Sequence, residues 1–220
     1  MARPSARFTR RLFSVTAPVY DWLTRQETWL EHCASVAELF PPTRPGAPPL
    51  RVLDLGIGPG VSGVGLLRRR PELEITGLDL SRRMLRRARR ALGDRAGLLA
   101  ADVAQLPFPA QQFDVVTHHS FLYLLPDRDA ALAEIRRVLQ PGGRYVLLEP
   151  RRRGRFWRIP FLRGALRFRL SMAAWRFIGL RYGKFRRDEL TALLTGHGFT
   201  DLSLTPTLGG LGYLGDARRG

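Results

Sequence analysis

Cysteine and lysine are nearly absent from this chain of 220 residues: Cys33 and Lys184 stand alone. A single cysteine excludes an intrachain disulfide and a zinc site built from several thiolates, and it fits a reducing compartment. No apolar run approaches the roughly 18 residues a spanning helix needs. The expected setting is therefore the cytoplasm, at most peripheral to a membrane. With lysine so scarce, arginine at any one site carries no information; the places where acids are missing do. Residues 1–20 hold four arginines and no acid, and residues 150–187 hold twelve arginines and Lys184, again without an acid. These two segments supply the whole net charge of +17, and elsewhere 19 basic residues balance 19 acidic ones.

Two leader-like readings of the N-terminus compete with a helical one. The stretch 9-TRRLFSV-15 resembles a twin-arginine export signal, and the acid-free start resembles a mitochondrial transit peptide. Asp21 and Arg25 in 16-TAPVYDWLTRQE-27 break the apolar run that export requires, so a retained amphipathic helix is expected.

An apolar content of 45% is enough to core one domain. Apolar spacing predicts a helical cap over residues 8–40, broken at Pro18, and 41-PPTRPGAPP-49 reads as a stiff linker. From there strands and helices alternate. Strands are expected at 50–55, 74–80, 98–101, 113–117 and 144–149. Helices are expected at 61–70, at 82–92 capped by Ser81, and at 128–139 ended by 141-PGG-143. After a basic interruption at 150–187, the order resumes with a helix at 188–195 and strands at 200–205 and 207–217. The alternation implies a doubly wound α/β domain around a parallel sheet. The chain thus divides into a cap (1–40), a core (50–149), a basic helical insert (150–187) and a C-terminal helix with strands (188–220), all within one domain.

In such sheets ligands bind beyond the carboxyl ends of the strands. The loop 56-GIGPG-60 lies there, and its glycines allow positive φ and close backbone approach to an anion. Counted from Gly58 it spells a dinucleotide fingerprint; counted from Asp54 it is an acid followed by G-x-G-x-G. Asp79, ending the second strand, can accept hydrogen bonds from both ribose hydroxyls, or it can serve with Ser81 at the helix start. Either cofactor, NAD or S-adenosylmethionine (SAM), fits so far. Asp102 in 100-AADVAQLPFP-109 adds an acid where an adenine amino group can donate. It is followed by 113-FDVVTHHSFLYLLPD-127 and 133-AEIRRVLQPGGRYVLLEP-150.

This ordered set resembles the class I SAM-dependent methyltransferases, closest to the ubiquinone/menaquinone C-methyltransferase-like branch. The resemblance implies a Rossmann-like seven-stranded sheet and SAM as methyl donor. It assigns Asp54, Gly56, Gly58 and Gly60 to the methionine end, and Asp79 to the ribose with Leu80 beside adenine. It assigns Asp102 and Val103 to the adenine edge, and Thr117 to Ser120 to the sulfonium side. Tyr20, with Asp21, stands where the branch closes a helix over the cofactor. Gly63 becomes a packing residue. Two departures stand out. The Arg-Asn pair that follows strand 4 in quinone-type enzymes is replaced by Leu122-Tyr123, and their polar motif after strand 5 is replaced by the insert.

In-line methyl transfer needs alignment and exclusion of water, and a base only where the acceptor must lose a proton. His119 and then His118 are the candidates for that role, with packing as the alternative for each. No His/Asp/Glu cluster has metal-ligand spacing, so no metal is expected. The insert interleaves thirteen cations with eight aromatics. Leu166, Leu170, Ala173, Ala174, Phe177 and Ile178 form one helical stripe. It suits a lid over the substrate, an anionic membrane surface, or, as the less favoured partner, nucleic acid. The expected function is methyl transfer to a small lipophilic acceptor such as a quinone precursor or a lipid headgroup. An RNA methyltransferase and a non-catalytic SAM-binding, membrane-associated module are the alternatives.

Overall fold

The computed structural model describes residues 5–43, 46–153, 159 and 164–220. Arg3, two positions of the linker and residues 154–158 and 160–163 of the insert lie outside the described residues. Among the described residues seven strands form one sheet: β1 (Arg51–Leu55), β2 (Glu74–Leu78), β3 (Ala96–Leu99), β4 (Phe113–His119), β5 (Leu139–Pro150), β6 (Phe199–Thr207) and β7 (Gly212–Arg219). Their order is β3-β2-β1-β4-β5-β7-β6. The first five run parallel, but β7 is antiparallel to both β5 and β6, so the sheet is mixed rather than wholly parallel. The turn through Leu208–Gly210 joins β6 directly to β7, and a hairpin makes neighbours antiparallel.

Among the described residues seven α-helices accompany the sheet: α1 (Ala6–Thr24), α2 (Glu27–Val36), α3 (Val61–Arg69), α4 (Arg82–Leu92), α5 (Arg128–Val138), α6 (Leu166–Tyr182) and α7 (Arg187–Gly196). Local chemistry sets several of their starts. Gly60 caps α3 with φ +87, the Ser81 hydroxyl accepts from the Met84 N–H, and the Asp127 carboxylate accepts from the Ala130 N–H at 2.9 Å. Val52, Val115 and Val146 enter one apolar core, while their neighbours Leu53, Val116 and Leu147 enter the other. Alternation along buried strands thus fills both faces of the sheet.

Several expected boundaries shift. Pro18 lies inside α1 without breaking it; the helix ends at Thr24, and the chain turns through extended Gln26. The third strand begins two residues earlier than expected, at Ala96, and β4 runs on to His119. The Pro-Gly-Gly stretch lies within β5, next to a register shift between β4 and β5, instead of closing the preceding helix. Among the described residues no helix is long and apolar enough to cross a membrane.

Candidate active site

A cavity opens beyond the carboxyl ends of β1, β2 and β4. One end is lined by Gly56, Gly58, Asp79, Leu80, Asp102 and Val103; the other by Trp29, His119, Phe121, Tyr123, Trp175 and Ile178. Tyr20 and Phe13 of α1 line it as well.

At the first end, Gly56 and Gly58 adopt φ of +65 and +56. A Cβ on Gly56 would come within 2.4 Å of the Phe121 ring, so glycine is required there by both backbone and space. The Asp79 carboxylate accepts the Gly58 N–H at 3.1 Å and the Ser81 N–H at 2.7 Å. It therefore joins the loop to the start of α4 while also facing the cavity. Burial pushes its pKa up to about 6. Asp102 accepts the Ala104 N–H at 3.0 Å and is exposed on the cavity wall. Tyr20 lies above Gly58, its ring 3.9 Å from where a Cβ would stand. Burial first, and then the Asp79 charge, push its pKa up to about 12.

Three residues expected at the cofactor lie off the cavity wall. Asp54 is buried under the loop, accepting from the Ser62 hydroxyl at 2.5 Å, and burial pushes its pKa up to about 7. Gly60 faces α4 instead, where a Cβ would meet the Ala88 backbone at 3.0 Å. Thr117 is fully buried one rung deeper than His119. Asp21 does not close over the cavity either. It pairs at 2.8 Å with Arg25 and with Arg87 of α4, and Arg25 donates to the Pro59 carbonyl. Its work is to dock α1 on the loop and on α4. Gly63 is in tight contact as expected, but mainly with the Leu92 side chain of α4.

The two histidines separate because consecutive residues of a strand point to opposite faces. His118 turns away from the cavity, its Nε2 2.7 Å from the Tyr145 hydroxyl and its Nδ1 3.4 Å from Glu149. Burial and the neighbouring His119 push its pKa down to about 3. This geometry fits the packing alternative for His118, since its ring does not line the cavity. His119 lines the cavity with both ring nitrogens shielded from solvent and without a partner among the described residues. Burial, then the nearby His32, push its pKa down to about 3 as well, so it is neutral near pH 7. A neutral imidazole offers one donor and one acceptor. Trp175 adds a shielded Nε1 without a partner among the described residues. Trp29 is fixed by donating its Nε1–H to Ser171 of α6 at 2.8 Å.

Sequence reading missed the aromatic wall of Trp29, Phe121 and Trp175, which comes from three segments that only the fold brings together. It also missed Glu149, whose carboxylate accepts the backbone N–H groups of Phe121, Leu122 and Tyr123 at 3.0, 2.7 and 3.1 Å. An acid ending the otherwise apolar strand 145-YVLLEP-150 was its available signal. The stripe expected on α6 also divides. Ala174 and Ile178 line the cavity, whereas Leu166, Leu170 and Phe177 face outward. Phe168, Met172 and Trp175 form the buried face, and Arg176 is buried beside it.

Comparison with known proteins gives the fold and its chemistry a common source. The sequence profile described as "Methyltransferase domain" matches residues 53–147. The chain is 34% identical over 210 residues to the demethylmenaquinone methyltransferase of Thermus thermophilus, covering 86% of this chain and 91% of that protein. It is 32% identical over 226 residues to the demethylmenaquinone methyltransferase of Thermotoga maritima, covering 94% and 93%. Among solved structures, the [4+2]-cyclase SpnF superposes with a TM-score of 0.72 at 18% identity, over 100% of this chain and 97% of that one. The phosphoethanolamine N-methyltransferase 2 of Haemonchus contortus, in complex with SAM, gives 0.65 at 18% identity, over 88% and 43%. These structural likenesses carry the fold alone, and one of them is a cyclase. The sequence relatives carry the family.

Proposed function

The chain belongs to the class I SAM-dependent methyltransferases, and on that premise we propose that it methylates a small, lipophilic, hydroxyl-bearing aromatic acceptor, a demethylated quinol being the first candidate. One observation carries this reading. The cavity is continuous from an acid-and-glycine cradle to an apolar aromatic wall, and His119 stands at the aromatic end with ring nitrogens that have no partner among the described residues. Relatives named as demethylmenaquinone methyltransferases support it.

The residues of the cradle fit the donor. Gly56 and Gly58 admit its methionine end, Asp79 takes the ribose hydroxyls, Asp102 and the Val103 backbone take the adenine edge, and Leu80 packs beside the base. SAM supplies an electrophilic methyl on a positively charged sulfur. The protein's part is alignment within about 3–3.5 Å and removal of water. Tyr20 and α1 cover the donor end. The 150–187 segment, represented by Ser171, Ala174, Trp175 and Ile178 of α6, covers the acceptor as a lid. This division gives a cap (1–40), core (50–149), lid (150–187) and C-terminal unit (188–220). His119 orients the acceptor hydroxyl. Methylation turns the acceptor into a strong acid, so even an imidazole of depressed pKa can take up the released proton. A lipophilic acceptor of this kind is met at a membrane surface, which suits a cytoplasmic protein with peripheral attachment through 150–187.

Labelled SAM offered with a demethylated naphthoquinol, with phosphoethanolamine and with RNA tests the reading. Label on a ring carbon of the quinol supports it. Label entering RNA or phosphoethanolamine, or SAM binding without transfer to any of the three, overturns it.

A further inference from the structure

Nine large apolar side chains are exposed among the described residues, and eight of them lie on two helices. On α1 they are Phe8, Val15, Val19 and Trp22, spaced as one stripe of a helix. On α6 they are Leu166, Leu170, Phe177 and Leu180, again one stripe. The two helices lie side by side and antiparallel. Near one end the Thr9 and Tyr182 hydroxyls are 3.2 Å apart. Near the other, Arg167 donates to the Arg25 carbonyl at 2.7 Å and stands 5.6 Å from the centre of the Trp22 ring.

A surface helix ordinarily turns its apolar stripe inward and its polar face outward. Here α6 buries one side in the protein, α1 rests on it through Ala17 and the half-buried Leu12 and Phe13, and each helix presents a second apolar stripe outward. Charge states what covers it. Among the described residues Arg7, Arg11 and Arg181 are exposed beside the stripes and make no ion pair. The only acid on either helix, Asp21, is held by Arg25 and Arg87. A second copy of the chain would bring like charges together. A nucleic acid would meet the arginines but leave Val15, Leu166, Leu170 and Leu180 without an apolar partner.

We propose that the outward faces of α1 and α6 together form a seat for an anionic phospholipid bilayer. The apolar side chains enter the headgroup boundary, and the arginines meet lipid phosphates. The expected membrane contact thereby moves from the 150–187 segment alone to a two-helix platform. The same helices turn Phe13, Tyr20, Ala174 and Trp175 into the cavity, so an acceptor dissolved in the bilayer has its route between them. That route rests on the acceptor reading; the seat does not.

Sedimentation of the full chain with phosphatidylcholine vesicles, or with vesicles containing about equal phosphatidylglycerol, tests the seat without SAM or acceptor. Binding should require the anionic lipid and should fall by roughly tenfold or more in Phe177→Asp and in Val15→Asp, neither of which lines the cavity. Leu170→Asp replaces either variant that fails to fold, and unchanged SAM binding certifies each. Absence of vesicle binding, equal binding to neutral vesicles, or variants that bind like the parent would overturn the proposal. So would variants that dissolve a dimer or abolish RNA binding while the parent ignores vesicles. Quinol methylation in detergent together with failed vesicle binding would remove the seat and leave the acceptor reading standing.

Discussion

Phe121 is held between Glu149 and the glycine loop: its N–H donates to the Glu149 carboxylate at 3.0 Å, and its ring occupies the space a Cβ on Gly56 would need. The acid at the end of β5 thereby fixes the turn that carries two walls of the cavity, Phe121 and Tyr123. It acts as a positioning residue for that turn.

Glu149→Gln keeps the shape but sets an amide N–H₂ against one of the three backbone donors. The loss of one buried bond costs about 1–3 kcal/mol of local stability. Acceptor KM should rise while SAM affinity holds, measured by steady-state kinetics beside calorimetry. Unchanged kinetics for both ligands would count against the positioning role.

His119→Gln should lower kcat by about a hundredfold with SAM binding unchanged, the order of effect expected for a positioned proton-handling group. His118→Phe should behave differently. It orphans the Tyr145 hydroxyl and should lower stability by about 1–3 kcal/mol with a much smaller change in kcat. Denaturant melts and initial rates on both variants separate the roles, and equal kinetic losses would contradict the opposed orientations of the two rings.

Gly65 and Gly63 stand two residues apart on α3 but should tolerate alanine very differently. A Cβ at position 65 would come within 2.5 Å of the Cys33 Cβ and 2.7 Å of the Leu30 carbonyl of α2, whereas at position 63 it would meet the Leu92 side-chain methyls at 3.1 and 3.3 Å. Backbone cannot step aside as a methyl can. Gly65→Ala should cost about 1–3 kcal/mol by overpacking, and Gly63→Ala markedly less. Urea denaturation of the pair is the measurement.

Stability should peak near pH 6–6.5. Asp54, Asp79 and Glu149 are pushed up by burial to about 7, 6 and 8. The folded state therefore holds their protons more tightly than the unfolded chain, and each contribution is lost as pH rises through the folded pKa. His32, His118 and His119 are pushed down by burial to about 4, 3 and 3. Their contribution is present above the ordinary value of 6.5 and is lost on acidification. Between pH 4 and 6 the two sets oppose. From pH 6.5 to 8 only the acids act, and stability should decline. Thermal melts of the SAM-free protein across pH 4–9 check this, and a steady rise from pH 6.5 to 8 would contradict it.

Much of the α/β core was legible because its signals are local. The glycine loop, the Ser81 cap and the spacing from Asp54 through Asp79 to Asp102 lie within short stretches whose physics is self-contained. Pro18 misled because proline disfavours helix interiors, yet here α1 continues past it. The direction of β7 was not legible, since a strand's residues do not state its orientation. His118 and His119 were indistinguishable as a dipeptide; the pleat of β4 separates them. The aromatic wall was hidden for a different reason: Trp29 and Trp175 are 146 positions apart, and nothing in either neighbourhood announces the other. The stripe on α6 was seen, but its direction depends on a second apolar face that the helix also carries.

Of the nineteen residues of α1, Ala17 alone is buried. The roof over the donor end therefore gives up little fully buried apolar surface on detaching, and its opening free energy should fall well below that of the sheet. The contacts that would have to part are few and local, Asp21 to Arg87 and Arg25 to the Pro59 carbonyl, and none of them lies in the core of the sheet. Amide exchange along α1 should be fast in the free protein and slow once the donor is bound, with β4 protected in both states.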